Sequence, residues 1–473
     1  MARRIKIVLY NPRAVFFQMP LALLAVGSHL DPERYEVVIV DGRLEADAAA
    51  AVLAQLDGAA CLGVTVLTGA PILDAVAISR AAKAARPELP VVWGGWHPSM
   101  FARECLAEPS VDVTVQGQGE ETFAEIVERL LDGRSLDGCA GCAFRREDGT
   151  IQVNPPRALR AVNAFREHDY SLIPVERYFA LKGKRQLDFI SSQGCNFRCA
   201  FCSDPFVYGR RWVGLDPVRM GTRLKQLWDR YRFDDVNFQD ETFFTKRERV
   251  KGFAEQVIAA GMKITWAGTM RADQGVRLPD EVWRLCKRSG LRRLLVGVES
   301  GSDEMLLRIR KDVTLDQVFH TAGKMVEHGL AGHFPFIVGF PDESDDSIAA
   351  TIAVARRLRA MSPEFLTPIY YFKPYPGSAI VTEAVAKGFK LPETLEEWAG
   401  FDYVQGDPGP WVSPEKFRLI ERFKFFHDLA WRPVHPAEKP LQQLARYRCR
   451  RNDYRWPLEM AIVRAYRSEP VLS

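Results

Sequence analysis

Residues 194–202 read Gly194-Cys195-Asn196-Phe197-Arg198-Cys199-Ala200-Phe201-Cys202, a run with three thiols spaced four and three apart. A turn glycine opens it and an extended stretch, residues 187–192, precedes it. Thiolates so placed close around one face of an iron-sulfur cluster; four irons call for four ligands, and the loop supplies three. An iron without a protein thiolate is open to a substrate or cofactor. Zinc is the alternative metal, but it expects four protein ligands, with His168 and Cys286 as the candidates to complete the set. Buried inert thiols are the remaining reading.

The 473 residues suggest about three domains. Hydrophobic residues at 47% allow large cores, and 26% charged residues with a net charge of +4 are ordinary for a soluble chain. No short block concentrates the excess Lys and Arg, which argues against nucleic acid. Nine cysteines, an odd number, follow a start without a secretory signal. A reducing cytoplasm with thiols free for metal is the expectation. The most apolar run, residues 14–30, is broken by Gln18, Pro20 and His29, so no transmembrane segment is expected, and peripheral membrane contact stays open.

Residues 5–131 alternate short β-rich runs (5–10, 35–40, 61–66, 91–93, 111–116) with Ala- and Leu-rich helical stretches, the pattern of a doubly wound, five-stranded parallel sheet. Ligands of such a sheet sit outside the carboxyl ends of its strands. The loops there include residues 65–69, 94–98 and 116–121, and their Thr65, Gly69, Gly94, Gly95, Gly117, Gly119 and Glu120 are candidate cofactor contacts. Residues 143–156 read as a hairpin around Asp148-Gly149, entering a linker. A second alternation yields strands at 187–191, 235–239, 264–269, 293–298, 334–338 and 365–371, a partial (β/α)6 barrel with its active site at the strand carboxyl ends. The division expected is 1–142, a hairpin and linker at 143–180, the barrel at 181–380, and a mainly helical region at 381–473 as a substrate lid. Its aromatic run from Trp398 through Phe425, Phe426 and Trp431 to Trp456 reads first as helix packing.

The Cys-x-x-x-Cys-x-x-Cys loop, with Phe201 before its last cysteine, resembles the signature of the radical S-adenosylmethionine (SAM) superfamily. Residues 5–379 resemble its cobalamin-binding branch, the group that includes the anaerobic magnesium-protoporphyrin ester cyclase. The resemblance implies a 4Fe-4S cluster on Cys195, Cys199 and Cys202, with SAM on the open iron. It also implies SAM contacts from the strand ends: Gln239, Asp240 and Glu241 after strand two, Arg271 after strand three, and Glu299 with Ser300 in Glu-Ser-Gly after strand four. Gly339 belongs to Gly-Phe-Pro-Asp-Glu, where Asp342 replaces the usual glycine, and Pro376 to Tyr-Pro-Gly-Ser near the adenine. Acidic turns before helices and ordinary ion pairs are the plain readings of these residues.

The implied chemistry is one-electron cleavage of SAM to a deoxyadenosyl radical that takes hydrogen from an unactivated carbon. The first domain is then cobalamin-binding, although residues 11–17, Asn-Pro-Arg-Ala-Val-Phe-Phe, lack the axial histidine of Asp-x-His-x-x-Gly proteins. His97 reads as a loop residue beside the nucleotide tail. Cys139 and Cys142 form a lone Cys-x-x-Cys, weak evidence for a second site. Methylation of a carbon is the leading activity. Oxidation, cyclisation or rearrangement with the same cofactors is an alternative, and a non-catalytic cofactor carrier another. The partners expected are a small-molecule or lipid-like substrate and an electron donor such as flavodoxin or ferredoxin.

Overall fold

A computed structural model of the chain describes residues 4–401, 408–432, 434–455, 457–460 and 463. The first sheet holds β1 (Ile5–Asn11), β2 (Tyr35–Asp41), β3 (Ala59–Thr65), β4 (Val91–Gly94), β5 (Val113–Val115), β6 (Cys142–Arg145) and β7 (Ile151–Val153). They lie in the order β2-β1-β3-β4-β5-β6-β7. Strands β1 to β5 are parallel. Ile7, Val8, Leu9 and Tyr10 are wholly buried, as a strand covered by helices on both faces must be. The strand order reverses between β1 and β3, so their carboxyl ends diverge and leave a crevice.

The sheet has seven strands, not five. The hairpin expected at the start of the linker is β6 and β7, which pairs antiparallel onto β5. It covers an edge that would otherwise expose unpaired backbone groups.

The second sheet begins with β8 (Gln186–Phe189). A small antiparallel pair follows, β9 (Ser192–Gly194) with β10 (Trp212–Gly214). Then come β11 (Asp235–Phe238), β12 (Thr265–Met270), β13 (Leu291–Val296), β14 (Ala331–His333), β15 (Phe336–Val338), β16 (Phe365–Leu366) and β17 (Ile369–Tyr371). Strands β8, β11, β12, β13, β14 and β16 form one parallel wall in chain order. The last two barrel strands are each in two pieces: the one expected at 334–338 is preceded by β14 and shortened to β15, and the one expected at 365–371 is split into β16 and β17. Pro335 and Pro368 have no N–H to give a ladder, so β15 and β17 pair separately beyond them.

The C-terminal region serves both units. Leu395, Trp398, Ala399 and Phe401 enter the core of the first sheet. Farther on, helices Pro414–Trp431 and Lys439–Arg451 join the barrel core through Ile420, Phe423, Phe426, Ala445 and Cys449. Packing thus accounts for Trp398, Phe425, Phe426 and Trp431 in the aromatic run, while Trp456 lies outside the described residues. Among the described residues no helix is long and apolar enough to cross a membrane.

Candidate functional site at the junction of the two sheets

The cysteine loop is the connection of the β9–β10 pair, so its ends are clamped by backbone hydrogen bonds. Gly194 has φ +82°, and a β-carbon there would lie 2.3 Å from the Arg211 carbonyl oxygen. Only glycine accepts that approach. In mid-loop, buried Ala200 donates to the Ile309 carbonyl (2.8 Å) and its own carbonyl accepts from Ile380 N–H (3.0 Å), tying the loop to the fourth and last barrel units. Arg198 pairs with Asp312 at 2.7 Å.

Cys195, Cys199 and Cys202 are half-buried and unpaired. Burial pushes the Cys195 thiol up to about 11, and burial together with Asp204 lifts Cys202 well above the ordinary value. Without metal Cys195 and Cys202 hold their protons, which ligation would release. Arg271 Nη1 donates to Cys199 Sγ at 3.6 Å, and Lys311 lies within electrostatic reach of the same sulfur. Three soft donors beside two cations fit an anionic thiolate-bound cluster. Among the described residues no three His, Cys, Asp or Glu side chains gather to hold one metal ion. Cys286 is in the barrel core.

Around the barrel mouth the residues divide by what already holds them. Asp240 is buried, accepting from Ser191 N–H (2.8 Å), Ser191 Oγ (2.6 Å) and Ser192 Oγ (2.5 Å), with Arg249 at 3.7 Å. Its acceptors are consumed in joining the ends of β8 and β11. Ser300 is likewise internal, beside Thr351 Oγ1 and accepting from Ser302 N–H. Glu299 sits at φ +68° and accepts from buried Lys311 at 2.7 Å. A strained backbone that presents an ion pair at a strand end is the kind of outlier found at functional sites. Arg271 lies 3.8 Å from the Phe197 ring centre and spends Nε on Asp273 and Nη2 on the Lys311 carbonyl, so it braces the cysteine loop.

Glu241 is different. Its Oε2 is buried without a hydrogen-bond partner, and burial followed by nearby Asp204 pushes its carboxyl up to about 8. A buried carboxyl oxygen left without a partner at the mouth suits a cationic ligand. Gln239 donates to Asp188 Oδ1 at 3.1 Å. Gly339, at φ +77°, donates to Glu343 and accepts from Trp411. Asp342 takes φ +55°, the left-handed conformation its replaced glycine would have had, so the turn survives. The loop at Pro376 turns at Gly377, whose α-carbon faces Phe206 beside the cysteines.

A cavity of about 370 Å³ lies where the carboxyl ends of β1, β3, β4 and β5 face the barrel mouth. Thr65, Gly94, Gly95, Gly117, Gly119 and Glu120 line it from one side, and Gln193, Tyr208, Gln239 and Glu241 from the other. Gly69 is not on its wall; it stands below the Phe401 carbonyl. At Gly94 an added β-carbon would meet only Val115, at 3.7 Å, leaving the backbone open to a large flat ligand. With an apolar floor of Leu9, Val64, Val92 and Phe123, this cradle fits a corrin. His97 is wholly buried against Phe101 and Trp398, and burial lowers it to about 3, so it is core rather than cavity wall. The histidine on the wall is His168, from the linker.

Sequence reasoning passed over Lys311, Arg249, Gln193 and Tyr208, which no local motif marks. Each matters through a partner distant in the chain.

Residues 189–355 match the Radical SAM superfamily and residues 11–127 the B12 binding domain. The chain is 30% identical to an uncharacterized methyltransferase of Pyrococcus horikoshii over 81% of this chain and 82% of that one. It is 25% identical to the anaerobic magnesium-protoporphyrin IX monomethyl ester cyclase of Synechocystis, over 74% and 70%. The fold resembles TsrM, a radical SAM methyltransferase from Kitasatospora setae solved with tryptophan substrate and a SAM analog, with TM-score 0.73, 16% identity and 91% of each chain covered. The chain therefore belongs to the cobalamin-binding branch of the radical SAM superfamily, whose 4Fe-4S cluster, SAM and cobalamin are its cofactors.

Proposed function

We propose that this enzyme methylates an unactivated carbon of a small-molecule or lipid-like substrate held in the junction cavity. The carrying observation is that one cavity is walled both by the strand ends of the cobalamin-type sheet and by the barrel residues flanking the cysteine loop. Relatives named as methyltransferases, including the hopanoid C-3 methylase of Methylococcus capsulatus at 24% identity, support it. When bound, the cofactors would supply one-electron cleavage of one SAM to methionine and a hydrogen-abstracting 5'-deoxyadenosyl group, and a methyl from a second SAM that leaves as S-adenosylhomocysteine, two electrons entering per turnover.

The chain's residues would act as follows. Cys195, Cys199 and Cys202 hold the cluster, with Arg271 and Lys311 offsetting its charge. Glu241 accepts from the SAM amine, and Glu299, paired with Lys311 through one oxygen, offers its other oxygen to ribose hydroxyls. Gly94, Gly95, Gly117 and Gly119 let the corrin lie against backbone. The apolar floor keeps water from the radical. An electron donor such as flavodoxin or ferredoxin and a reducing cytoplasm complete the setting.

Anaerobic turnover of reconstituted protein should yield both S-adenosylhomocysteine and 5'-deoxyadenosine, with cluster and corrin bands in the absorption spectrum; deoxyadenosine alone would sink the methylation reading. The likeness to the cyclase supports oxidation or cyclisation as the second reading, marked by water-derived oxygen in the product.

A further inference from the structure

Two loops that must hold different cofactors are joined by one half-buried amide. Gln193 lies in β9, immediately before Gly194 and the cysteine loop, and its backbone register is set by Val213 of β10. Its side chain leaves the barrel and enters the turn after β5. There Gln118 Nε2 donates to Gln193 Oε1 at 2.6 Å, and Gln193 Nε2 donates to Glu120 Oε1 at 3.1 Å. Gln118 is fixed by the linker, donating to the Arg160 carbonyl (3.2 Å) and accepting from Arg160 N–H (2.9 Å). Gly117 and Gly119, which alternate with these two side chains, line the cavity.

The other joints between the sheets lie elsewhere. Met19 N–H donates to Asp188 Oδ2 at 2.8 Å, and Tyr178 to Asp41 at 2.5 Å, and none of these residues belongs to the cysteine loop or the glycine turn. Trp96 meets Tyr208 edge-on across the same seam, at 5.9 Å between ring centres, but that contact is apolar and has no fixed register. Gln193 satisfies a donor and an acceptor of the turn at once, from the strand that leads into the cysteine loop. Replacing it removes both hydrogen bonds between the cysteine-loop strand and the turn, and leaves the turn held by Gln118 to Arg160 of the linker alone.

We propose that Gln193, held between Gln118 and Glu120, is a positioning residue that sets the separation of the cluster loop from the cobalamin-facing turn, and so controls passage of the SAM methyl to cobalamin relative to cleavage of SAM at the cluster. This rests on the cofactor and methyltransferase readings of the same cavity. An ångström of misplacement between reacting groups costs about a hundredfold in rate, whereas the cluster and SAM, both on the barrel side, keep their mutual geometry.

The test uses the full chain loaded with iron, sulfide and hydroxocobalamin, reduced with titanium(III) citrate and given SAM without further substrate. S-adenosylhomocysteine and 5'-deoxyadenosine are quantified together, and the Co(II) electron paramagnetic resonance signal is recorded with the cluster oxidised and reduced. Gln193→Met, which keeps volume and removes both hydrogen bonds, should lower S-adenosylhomocysteine formation about tenfold or more while deoxyadenosine changes less than about twofold. It should also alter the relaxation of Co(II) by the reduced cluster at unchanged iron and cobalamin content. Gln118→Met, on the opposite loop, should give the same split and serves if the first variant does not fold. The double variant should be no worse than either alone, because all three break one connection. Equal loss of both products, or wild-type products and relaxation in either variant, would overturn the proposal. Wild-type protein that makes no S-adenosylhomocysteine would instead refute the methyltransferase reading and leave the relaxation measurement to decide the positioning role.

Discussion

At the scale of single residues, the site is governed by which charges have found partners. Lys311 and Glu299 are a buried pair, and removing one partner strands the other. Lys311→Met should cost about 3–5 kcal/mol in denaturant unfolding. Arg198→Ala, at an exposed pair beside the same loop, should cost under about 1 kcal/mol. Glu241 has the opposite problem, a buried carboxyl oxygen without a hydrogen-bond partner. Its folded value, about 8, is above the ordinary 4.5, so it adds nothing unfavourable at low pH and penalises the empty protein as pH rises toward 8. A cationic ligand reverses that balance by favouring the ionised form. SAM affinity should therefore strengthen as pH rises through about 8 and level off above it, with the slope absent in Glu241→Gln, as measured by equilibrium binding to cluster-loaded protein. Glu241 and Glu299 were legible because carboxylates at apolar strand ends stand out. Lys311 was not, since a lysine in Arg-Ile-Arg-Lys reads as surface until the fold buries it against Glu299.

At the scale of elements, the cysteine loop is only as well placed as the β9–β10 pair that closes it. Gly194→Ala forces a β-carbon into the Arg211 carbonyl at a positive φ. It should cost about 1–3 kcal/mol and, more tellingly, lower the iron bound per chain after reconstitution. The alternation of strands and helices was legible because period and turn residues are local properties. The break in the last two barrel strands was written in Pro335 and Pro368, whose missing N–H groups decide it. The pairing of β6 and β7 onto β5 was not, because a hairpin carries no signal of which edge it will cover. Asp240 shows the same limit: an acid at a strand end looks like a ligand contact until Ser191, Ser192 and Arg249 are seen to surround it.

At the scale of the whole molecule, the chain returns from the barrel to the sheet it began with. Trp398, 1% exposed, packs against Phe101 and His97 almost three hundred residues earlier in the chain. Trp398→Ala should destabilise the cobalamin-type sheet by about 3–5 kcal/mol, seen as weaker hydroxocobalamin retention and earlier thermal unfolding, while iron content after reconstitution stays near wild type. Helix packing was the first expectation for the aromatic run of this region, and at residues 395–401 the packing is a clamp on the first sheet. The sequence by itself determined the cluster loop, the order of the two α/β units and the family they imply, because thiol spacing, hydrophobic period and turn glycines act over a few residues. Only the tertiary structure decided which acids remain free, which histidine faces the cavity, and that Gln193 spans the two loops. Those properties depend on partners that the chain brings together from far apart, and burial, which sets the energy of every such group, does not exist before the fold does.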